Sequence, residues 1–253
     1  MIADTWHLYN KYLIISLRMP LWSLFSLIQP LLWLFIFTAL FSNFAQLPGF
    51  PGDTYLDYFL PGVLMMTVLF GSSWSGVSLL REINSGTVDK LLVSPISRAS
   101  IVLSRVLHSA SQVVAQALIV LAVAWMLGAN FSWHPLNLFL ILSIMLLLGI
   151  AFACLSNGFA ILSQREEPLV IMGNMMTLPL MFFSSAMVPE AFMPEWIQTA
   201  ALVNPVEYGV DALRAVLTKE INTELFLQGF FVTLAITLAA LFWAISAFKG
   251  LRD

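Results

Sequence analysis

Residues 80–107 read LREINSGTVDKLLVSPISRASIVLSRVL and carry four of the eleven Lys and Arg residues of this 253-residue chain. A long apolar stretch precedes the segment and another follows it. Within it, turn-forming residues alternate with short helical patterns. A charged segment between two apolar runs predicts a connection that lies outside a membrane and links two spanning helices.

The composition supports a membrane protein. Hydrophobic residues make up 60% of the chain and charged residues 10%, whereas soluble domains carry about 25% charged residues. Folded in water, such a chain would expose a large apolar surface. We therefore predict an all-α integral membrane protein in which residues 1–253 form a single transmembrane domain. The one cysteine, Cys154, allows no disulfide within the chain.

Six apolar runs reach the length of about 20 residues that a spanning helix needs. Their central parts lack Asp, Glu, Lys and Arg. If the N-terminus is cytoplasmic, nine Lys and Arg residues fall on that side, and two, Arg214 and Lys219, fall on the other. This positive-inside bias predicts six transmembrane helices with both termini in the cytoplasm. The runs are residues 21–42, 56–79, 101–127, 136–163, 169–188 and 225–248.

The first twenty residues are too polar to span a membrane. At 100° per residue, Asp4, His7, Lys11 and Arg18 share one narrow arc of a helix, and apolar residues line another face. Residues 1–20 are therefore predicted to form an interfacial helix on the inner leaflet that Pro20 ends. An amphipathic lead-in that only anchors the chain would show the same pattern.

Residues 189–224 differ from the other predicted outer connections. An Asn-Pro-x-Glu pattern supplies an N-cap, a first helical residue and an acidic third residue. The helix that follows places three charged side chains on one face, and we predict that two of them, Asp211 and Arg214, form a local pair. Together with a preceding short helix, it is predicted to form a re-entrant outer hairpin. The residues assigned to this hairpin are Pro189, Asn204, Pro205, Glu207, Asp211 and Arg214.

The sequence offers little chemistry of its own. Residues 71–78 (GSSWSGVS) have the glycine spacing of a phosphate-binding loop, but Val77 stands where the essential lysine belongs. We interpret these small residues as sites of close helix packing. No metal-binding or catalytic spacing is present, and the central parts of the predicted spans lack the ionisable groups of ion-coupled pumps. The chain is therefore predicted to have no catalytic, cofactor-binding or metal residues and to take its energy from a partner.

Residues 82–98 are the predicted attachment point for that partner. Thr87 can cap a short helix, which Ser94 and Pro95 would end. A short helix parallel to the membrane, with an apolar stripe and charged borders, suits a cleft on a soluble protein. A plain cytoplasmic loop is the alternative. The stripe is formed by Val88, Leu91 and Leu92, and its borders by Asp89 and Lys90.

Two motifs resemble the type-2 ABC transporter permease family, the membrane subunits of ATP-driven exporters. Arg81-Glu82, Ser85-Gly86-Thr87, Leu91-Leu92, Ser94-Pro95 and Ser97-Arg98 are similar to the family's coupling-helix region. Residues 185–214 are similar to its outer hairpin between spans five and six. The resemblance implies that the ATPase-coupling residues are Arg81, Glu82, Ser85, Gly86, Thr87, Asp89, Leu91, Leu92, Pro95 and Arg98.

The same resemblance implies an assembly in the bacterial inner membrane. Two permease copies, most simply a homodimer, would pair with two ABC ATPase subunits on a separate chain. ATP and Mg would be bound by the ATPase, this chain would hold no cofactor, and its other partner would be membrane lipid and not nucleic acid. The coupling helix would carry ATPase motion to the spans. Glu82→Arg is expected to uncouple ATP hydrolysis from transport while leaving the fold intact.

The expected cargo is an amphiphilic, drug-like, lipid-like or glycan substrate that is exported. Phe and Met residues in the first, second and fifth runs fit such a cargo, although they could equally face lipid or neighbouring helices. An ATP-independent channel or secondary carrier is the alternative function, and a membrane enzyme or assembly scaffold is another. These aromatic and methionine residues are Phe35, Phe37, Met65, Met66, Phe70, Met175, Met176, Met181 and Phe182.

Overall fold

A computed structural model of the protein describes residues 2–18, 20–218 and 221–249, and within these ranges the regular structure is helical, without a β-strand. Two short 3-10 helices, Ser42–Gln46 and Glu190–Phe192, accompany the α-helices. The α-helices are α1 (Ile2–Arg18), α2 (Pro20–Leu40), α3 (Tyr55–Asn84), α4 (Thr87–Leu92), α5 (Arg98–Met126), α6 (Pro135–Ser163), α7 (Glu166–Phe182), α8 (Glu195–Ala201), α9 (Pro205–Leu217) and α10 (Thr223–Lys249).

Four helices of the described residues, α3, α5, α6 and α10, are long and apolar enough to cross a membrane. The described part of α2 adds a shorter apolar helix, Ser26–Leu40, and α7 has 17 residues. The all-α membrane fold is thus confirmed in outline. The number of six spanning helices stays a prediction.

Small residues let α3 and α6 approach closely. A Cβ atom added to Gly76 would lie 2.2 Å from the carbonyl oxygen of Ser156. The Gly76 amide donates to Ser156 Oγ at 2.9 Å, and Ser72 Oγ donates to the Gly149 carbonyl at 3.3 Å. The interpretation of residues 71–78 as a helix-packing motif is confirmed, because these residues contact another helix through their backbones.

The buried side chains form two clusters, one at each end of the bundle. The larger lies toward α9, and the smaller lies at the end that carries α1 and α4. In the smaller cluster, Leu8 and Tyr12 of α1 are buried against the bundle. Trp6 and Leu17 of the same helix are exposed. The first helix therefore packs on the bundle through one face and presents apolar residues on another.

Three helix boundaries differ from the sequence predictions. Helix α3 continues to Asn84, so Arg81 and Glu82 belong to it and not to a loop. The cap of α4 is Gly86, whose φ of 69° suits glycine, and Thr87 is the first helical residue. The fifth apolar run, residues 169–188, becomes a helix that ends at Phe182. Side chains from neighbouring helices, described below, explain that early end.

The outer segment has the local structure that its sequence predicts. The Asn204 side chain accepts a hydrogen bond from the Val206 amide at 3.0 Å and caps α9, whose first residue is Pro205. Helix α8 is the predicted preceding short helix. The apolar face of α9 is buried, as expected of an amphipathic helix on a bundle. The re-entrant path through a membrane stays a prediction.

Candidate functional site

The short helix α4 connects the ends of α3 and α5, as the coupling-helix prediction requires. Its apolar residues, however, are not all exposed to a partner as predicted. Val88 is 1% exposed and belongs to the smaller buried cluster, and Leu91 packs partly against that cluster. The prediction that Val88 belongs to a stripe for a partner is therefore wrong, because Val88 faces its own protein. Leu91 is only partly buried, and its contact with a partner stays a prediction. The side chain of Leu92 lies outside the described residues.

A different set of side chains on and after α4 faces outward. Asp89 and Lys90 are exposed, as is Pro95. Val93 directly follows the helix and is 75% exposed, although it is a large apolar residue. The accessible surface of this segment, which we call the α4 surface, thus combines two charges of opposite sign with two apolar groups. Its residues are Asp89, Lys90, Val93 and Pro95.

The turn before α4 is ordered by local hydrogen bonds. Ser85 Oγ donates to the Glu82 carbonyl at 3.1 Å and lies 2.9 Å from Thr87 Oγ1. At the other end of the segment, the Ser97 hydroxyl caps α5 by accepting from the Ser100 amide at 3.2 Å, and Arg98 is the first residue of α5. Both turns that flank α4 therefore contain ordered hydroxyl hydrogen bonds, and short connections of a few residues join α4 to α3 and α5.

Glu82 points into the bundle and joins three helices. Its carboxylate accepts hydrogen bonds from Arg105 Nη2 of α5 and, at 3.3 Å, from the Tyr12 hydroxyl of α1. The guanidinium of Arg105 lies 4.9 Å from the centre of the Tyr12 ring, and its side chain is 4% exposed. Burial raises the pKa of Tyr12 to about 12, so its hydroxyl stays a donor at neutral pH. We call Tyr12, Glu82 and Arg105 the Glu82 cluster.

This geometry corrects the expectation that Glu82→Arg would leave the fold intact. An arginine at position 82 would replace the partner of a buried cation by a second cation. Arg105 lies near the start of the third apolar run, residues 101–127, and the sequence does not connect it to Glu82, since 23 residues separate them. The signal that could have found the pair is a lone arginine within an apolar helical run, which needs a counter-charge.

Arg81 takes a different direction from its neighbour. Its Nε atom lies 3.2 Å from the Glu166 carboxylate at the start of α7, and the two side chains are 61% and 42% exposed. The pair ties the end of α3 to α7 at the surface. Arg81 and Glu82, which the sequence assigns together to ATPase coupling, therefore serve two different contacts within the chain.

At the opposite end of the bundle, Arg214 of α9 holds the chain that follows α7. Arg214 donates to Asp211 Oδ1 at 3.2 Å, to Ser185 Oγ at 3.1 Å and to the Ser185 carbonyl at 3.0 Å. The Ser185 amide donates to Glu207 Oε2 at 2.5 Å. The Tyr58 ring lies 4.5 Å from the guanidinium. The predicted Asp211–Arg214 pair is confirmed, and Ser185 is the partner that sequence reasoning did not identify.

Other side chains of α3 and α9 satisfy the backbone of residues 180–187. Asn204 Nδ2 donates to the carbonyls of Leu180 and Phe183, both at 2.7 Å. The hydroxyls of Tyr55 and Tyr58 donate to the carbonyls of Met187 and Ser185 at 2.9 and 2.6 Å. These donors replace the helical hydrogen bonds that end with α7, which is why the helix stops before the apolar run does. Pro189 then precedes the 3-10 helix Glu190–Phe192.

Asp211 makes this outer cluster sensitive to pH. Burial raises the pKa of its carboxyl to about 6, and Glu207 adds to the rise, Arg214 opposes it and Glu190 adds further. Because the folded protein binds a proton near pH 6 and the unfolded chain only near pH 4, the contribution of Asp211 to stability grows as the pH falls from 6 to 4. We expect Asp211→Asn to flatten this part of the pH dependence, measured by thermal unfolding in detergent at pH 7 and pH 4.5.

The aromatic and methionine residues proposed for a cargo path separate into three groups by their exposure. Met65, Met66 and Met181 are buried within the bundle and are unavailable to a cargo in this conformation. Phe37 and Phe70 are partly buried against the larger cluster. The remaining four lie on exposed faces of α2 and α7, where lipid, cargo or a second chain could contact them. These are Phe35, Met175, Met176 and Phe182.

Comparison with known proteins agrees with this architecture. The ABC-2 type transporter family model matches residues 3–218. A putative transport permease, ycf38, of Cyanophora paradoxa is 31% identical over 206 residues, which cover 81% of this chain and 71% of that protein. The probable doxorubicin resistance permease DrrC of Mycobacterium tuberculosis is 27% identical over 221 residues, covering 85% and 79%.

A third relative, the probable multidrug ABC transporter permease YbhR of Escherichia coli, is 24% identical over 189 residues, covering 74% of this chain and 50% of that protein. Members of the matched family are membrane transport subunits and not enzymes, and the family implies an ABC ATPase on a separate subunit. With at least four membrane-length helices and a family match over most of its length, the chain belongs to the ABC-2 type transporter family as a multi-pass membrane permease.

Proposed function

We propose that this permease is the membrane subunit of an ATP-driven exporter. It moves an amphiphilic, drug-like, lipid-like or glycan substrate out of the cytoplasm or inner leaflet. The observation that carries the proposal is the α4 surface, an exposed set of charged and apolar side chains fixed between the ends of two spanning helices. No other described segment offers a protein partner such a direct mechanical connection to α3 and α5.

The proposed mechanism runs from α4 to the bundle. An ATPase that binds Asp89, Lys90 and Val93 would displace α4 when the ATPase binds ATP. The short turns on either side of α4 would pass this displacement to α3 and α5, and the Glu82 cluster would pass it to α1. The two ends of the route are distinct sites joined by a movable element, as energetic coupling requires.

The proposed assembly contains two copies of the permease and two ATPase subunits in a bacterial inner membrane. Both termini face the cytoplasm, α2 and α7 complete six spans, and residues 189–224 form the re-entrant outer hairpin. ATP and Mg belong to the ATPase. Support for the two additional spans comes from exposed apolar side chains on α2 and α7, which suit lipid or a second copy. Examples are Leu32, Ile36, Ile171 and Phe182.

Val93→Asp tests the α4 surface directly. A candidate ABC ATPase would be co-purified with the full-length permease, and its affinity measured in detergent. We expect the variant to weaken the complex at least tenfold, because a desolvated apolar contact at the centre of an interface contributes about 1–2 kcal/mol or more. Folding should be unaffected, since Val93 is already 75% exposed.

Val203→Asp is the matched control, because Val203 is 84% exposed and lies between α8 and α9, at the other end of the bundle. It should leave ATPase affinity unchanged. If both variants bind the ATPase as the wild type does, the α4 surface is not the contact. Substrate transport into liposomes without ATPase or ATP would contradict the exporter and support a channel or carrier.

A further inference from the structure

A cavity of about 430 Å³ lies beside the Glu82 cluster, between α1, α2, α3 and α5. Pockets that hold small ligands have volumes of roughly 300–1,000 Å³. The cavity is separate from the α4 surface, and it does not include the exposed Phe and Met residues of α2 and α7 that were considered for a cargo path. Its polar lining includes Ser75, Ser78, Arg105, His108, Ser109 and Gln112.

Polar side chains contribute to a lining whose surface is otherwise mostly apolar. Several hydroxyl groups face it together with an amide, and its charged residues are Arg81, Glu82 and Arg105. Arg105 is paired with Glu82 within the lining, and Arg81 with Glu166 outside it. Two of its polar groups are already bonded to each other across the wall, since Ser16 Oγ lies 2.9 Å from His108 Nε2. Hydroxyls, an amide and guanidinium N–H donors together match an anion that also carries hydrogen-bonding groups.

Arg105 has hydrogen-bonding capacity that the chain does not use. Although its Nη2 atom donates to Glu82, its buried Nε atom has no hydrogen-bond partner. A buried donor without a partner costs about 1–3 kcal/mol. Because guanidinium groups bind phosphate through paired N–H donors, a phosphate oxygen that entered from the cavity, with a small shift of the side chain, would relieve this cost.

The position of the cavity along the helices suits an amphiphile. Gly71, which also lines it, lies thirteen residues before the end of α3 at Asn84, about 20 Å along the helix axis. In the proposed orientation, the cavity therefore extends from the cytoplasmic surface to the depth of the inner leaflet. Two apolar lining residues, Ile15 and Trp74, are about half exposed and could contact an acyl chain that leads out toward lipid.

We propose that this cavity binds the phosphate-bearing headgroup of an amphiphile from the inner leaflet, with Arg105 and the surrounding hydroxyls as its polar partners. The inference rests on the proposed export function and deepens it, because it assigns a headgroup chemistry to the cargo. The binding itself requires neither ATP nor an ATPase.

The test is equilibrium binding of dioctanoyl phosphatidic acid to the full-length permease in detergent, measured by native mass spectrometry. Dioctanoylglycerol, which has the same chains without the phosphate, is the comparison ligand. We expect saturable binding of the phosphatidic acid that is at least tenfold tighter than that of the neutral lipid. Equal binding of the two lipids would overturn the proposal, because recognition would then depend on the acyl chains.

Ser78→Phe locates the site. Ser78 is exposed and lines the cavity, so a phenylalanine there fills the space without entering the packed core. Binding of the phosphatidic acid should fall at least tenfold. Ser143→Phe on α6, which is partly buried outside the cavity, should bind as the wild type does. Wild-type affinity in Ser78→Phe would contradict the proposal.

Arg105→Lys examines the role of the guanidinium while keeping the positive charge beside Glu82. We expect weaker phosphatidic acid binding, whereas unchanged binding in this variant would remove Arg105 from the site.

Competition with millimolar inorganic phosphate distinguishes a free phosphate from a lipid headgroup as the ligand. If inorganic phosphate displaces the phosphatidic acid, a free anion suffices. If it does not, the amphiphile is required. A permease that binds the ATPase but not the phosphatidic acid would refute only this inference.

Discussion

Glu82→Arg is expected to destabilise the protein by about 3–5 kcal/mol, the usual cost of removing one partner from a buried ion pair. Arg105 is 4% exposed, so water can replace only a small part of the lost interaction. The substitution also places a second cation within hydrogen-bonding distance of the first and removes the acceptor of the Tyr12 hydroxyl. We expect a large drop in thermal stability in detergent, accompanied by loss of monodisperse protein.

The neighbouring ion pair provides a matched control in the same chain. Glu166→Arg removes the partner of Arg81, but both side chains are solvent-exposed, and such pairs contribute only about 0–1 kcal/mol. This variant should unfold near the wild-type temperature. The double exchange Glu82→Arg with Arg105→Glu restores opposite charges and should recover part of the lost stability, as expected of coupled residues.

Equal thermal stability of Glu82→Arg and Glu166→Arg would show that Glu82 faces solvent and that the Glu82 cluster does not form.

The stability of the Glu82 variants also decides how a defect in their transport activity is interpreted. A folded Glu82 variant that binds the ATPase but does not transport would indicate lost coupling through the cluster. A variant that fails to fold says nothing about coupling, and this is why the milder Glu82→Gln is the better choice for transport assays.

Gly76→Ala is expected to disturb the contact between α3 and α6. The added Cβ atom would lie 2.2 Å from the carbonyl oxygen of Ser156, a backbone atom that cannot rotate away. The two helices would have to separate, and the hydrogen bond from the Gly76 amide to Ser156 Oγ would be strained. Overpacking of this kind costs about 1–3 kcal/mol, and it outweighs the intrinsic preference of helices for alanine, about 1 kcal/mol.

Gly173→Ala in α7 is the control. There the nearest atom to an added Cβ is Ser73 Cβ at 3.7 Å, an ordinary contact. Since the two variants make the same chemical change in a helix, their difference in thermal stability measures the close approach of α3 and α6. Gly173→Ala should be neutral or stabilising and Gly76→Ala destabilising. A destabilisation of equal size in both would contradict the packing of these two helices.

The features that the sequence predicted correctly are local. The capping of α9 by Asn204 and the Asp211–Arg214 pair depend on residues two or three positions apart on one helix. Apolar runs likewise predicted the long helices, because a continuous run of about 20 apolar residues is by itself the signal of a helix that can span a membrane. Charges and turns between the second and third runs were enough to place α4 within one residue of its observed end.

The directions of individual side chains depended on tertiary structure. Periodicity groups residues on a helical face, but it does not specify which face meets a neighbour. Val88 therefore appeared available to a partner although it is buried, and Glu82 appeared exposed although Arg105 and Tyr12 bind it. Ser185 had no sequence signal, since its partners on α3 and α9 are distant along the chain.

The sequence by itself thus determined that this protein is a helical membrane permease with a charged connection between two long helices. Only the tertiary structure decided which parts of that connection face outward and placed the polar cavity beside it. The physical reason is that hydrophobicity and capping act over a few neighbouring residues. The Glu82 cluster, in contrast, joins Tyr12, Glu82 and Arg105 from three helices, and their proximity arises only when those helices pack.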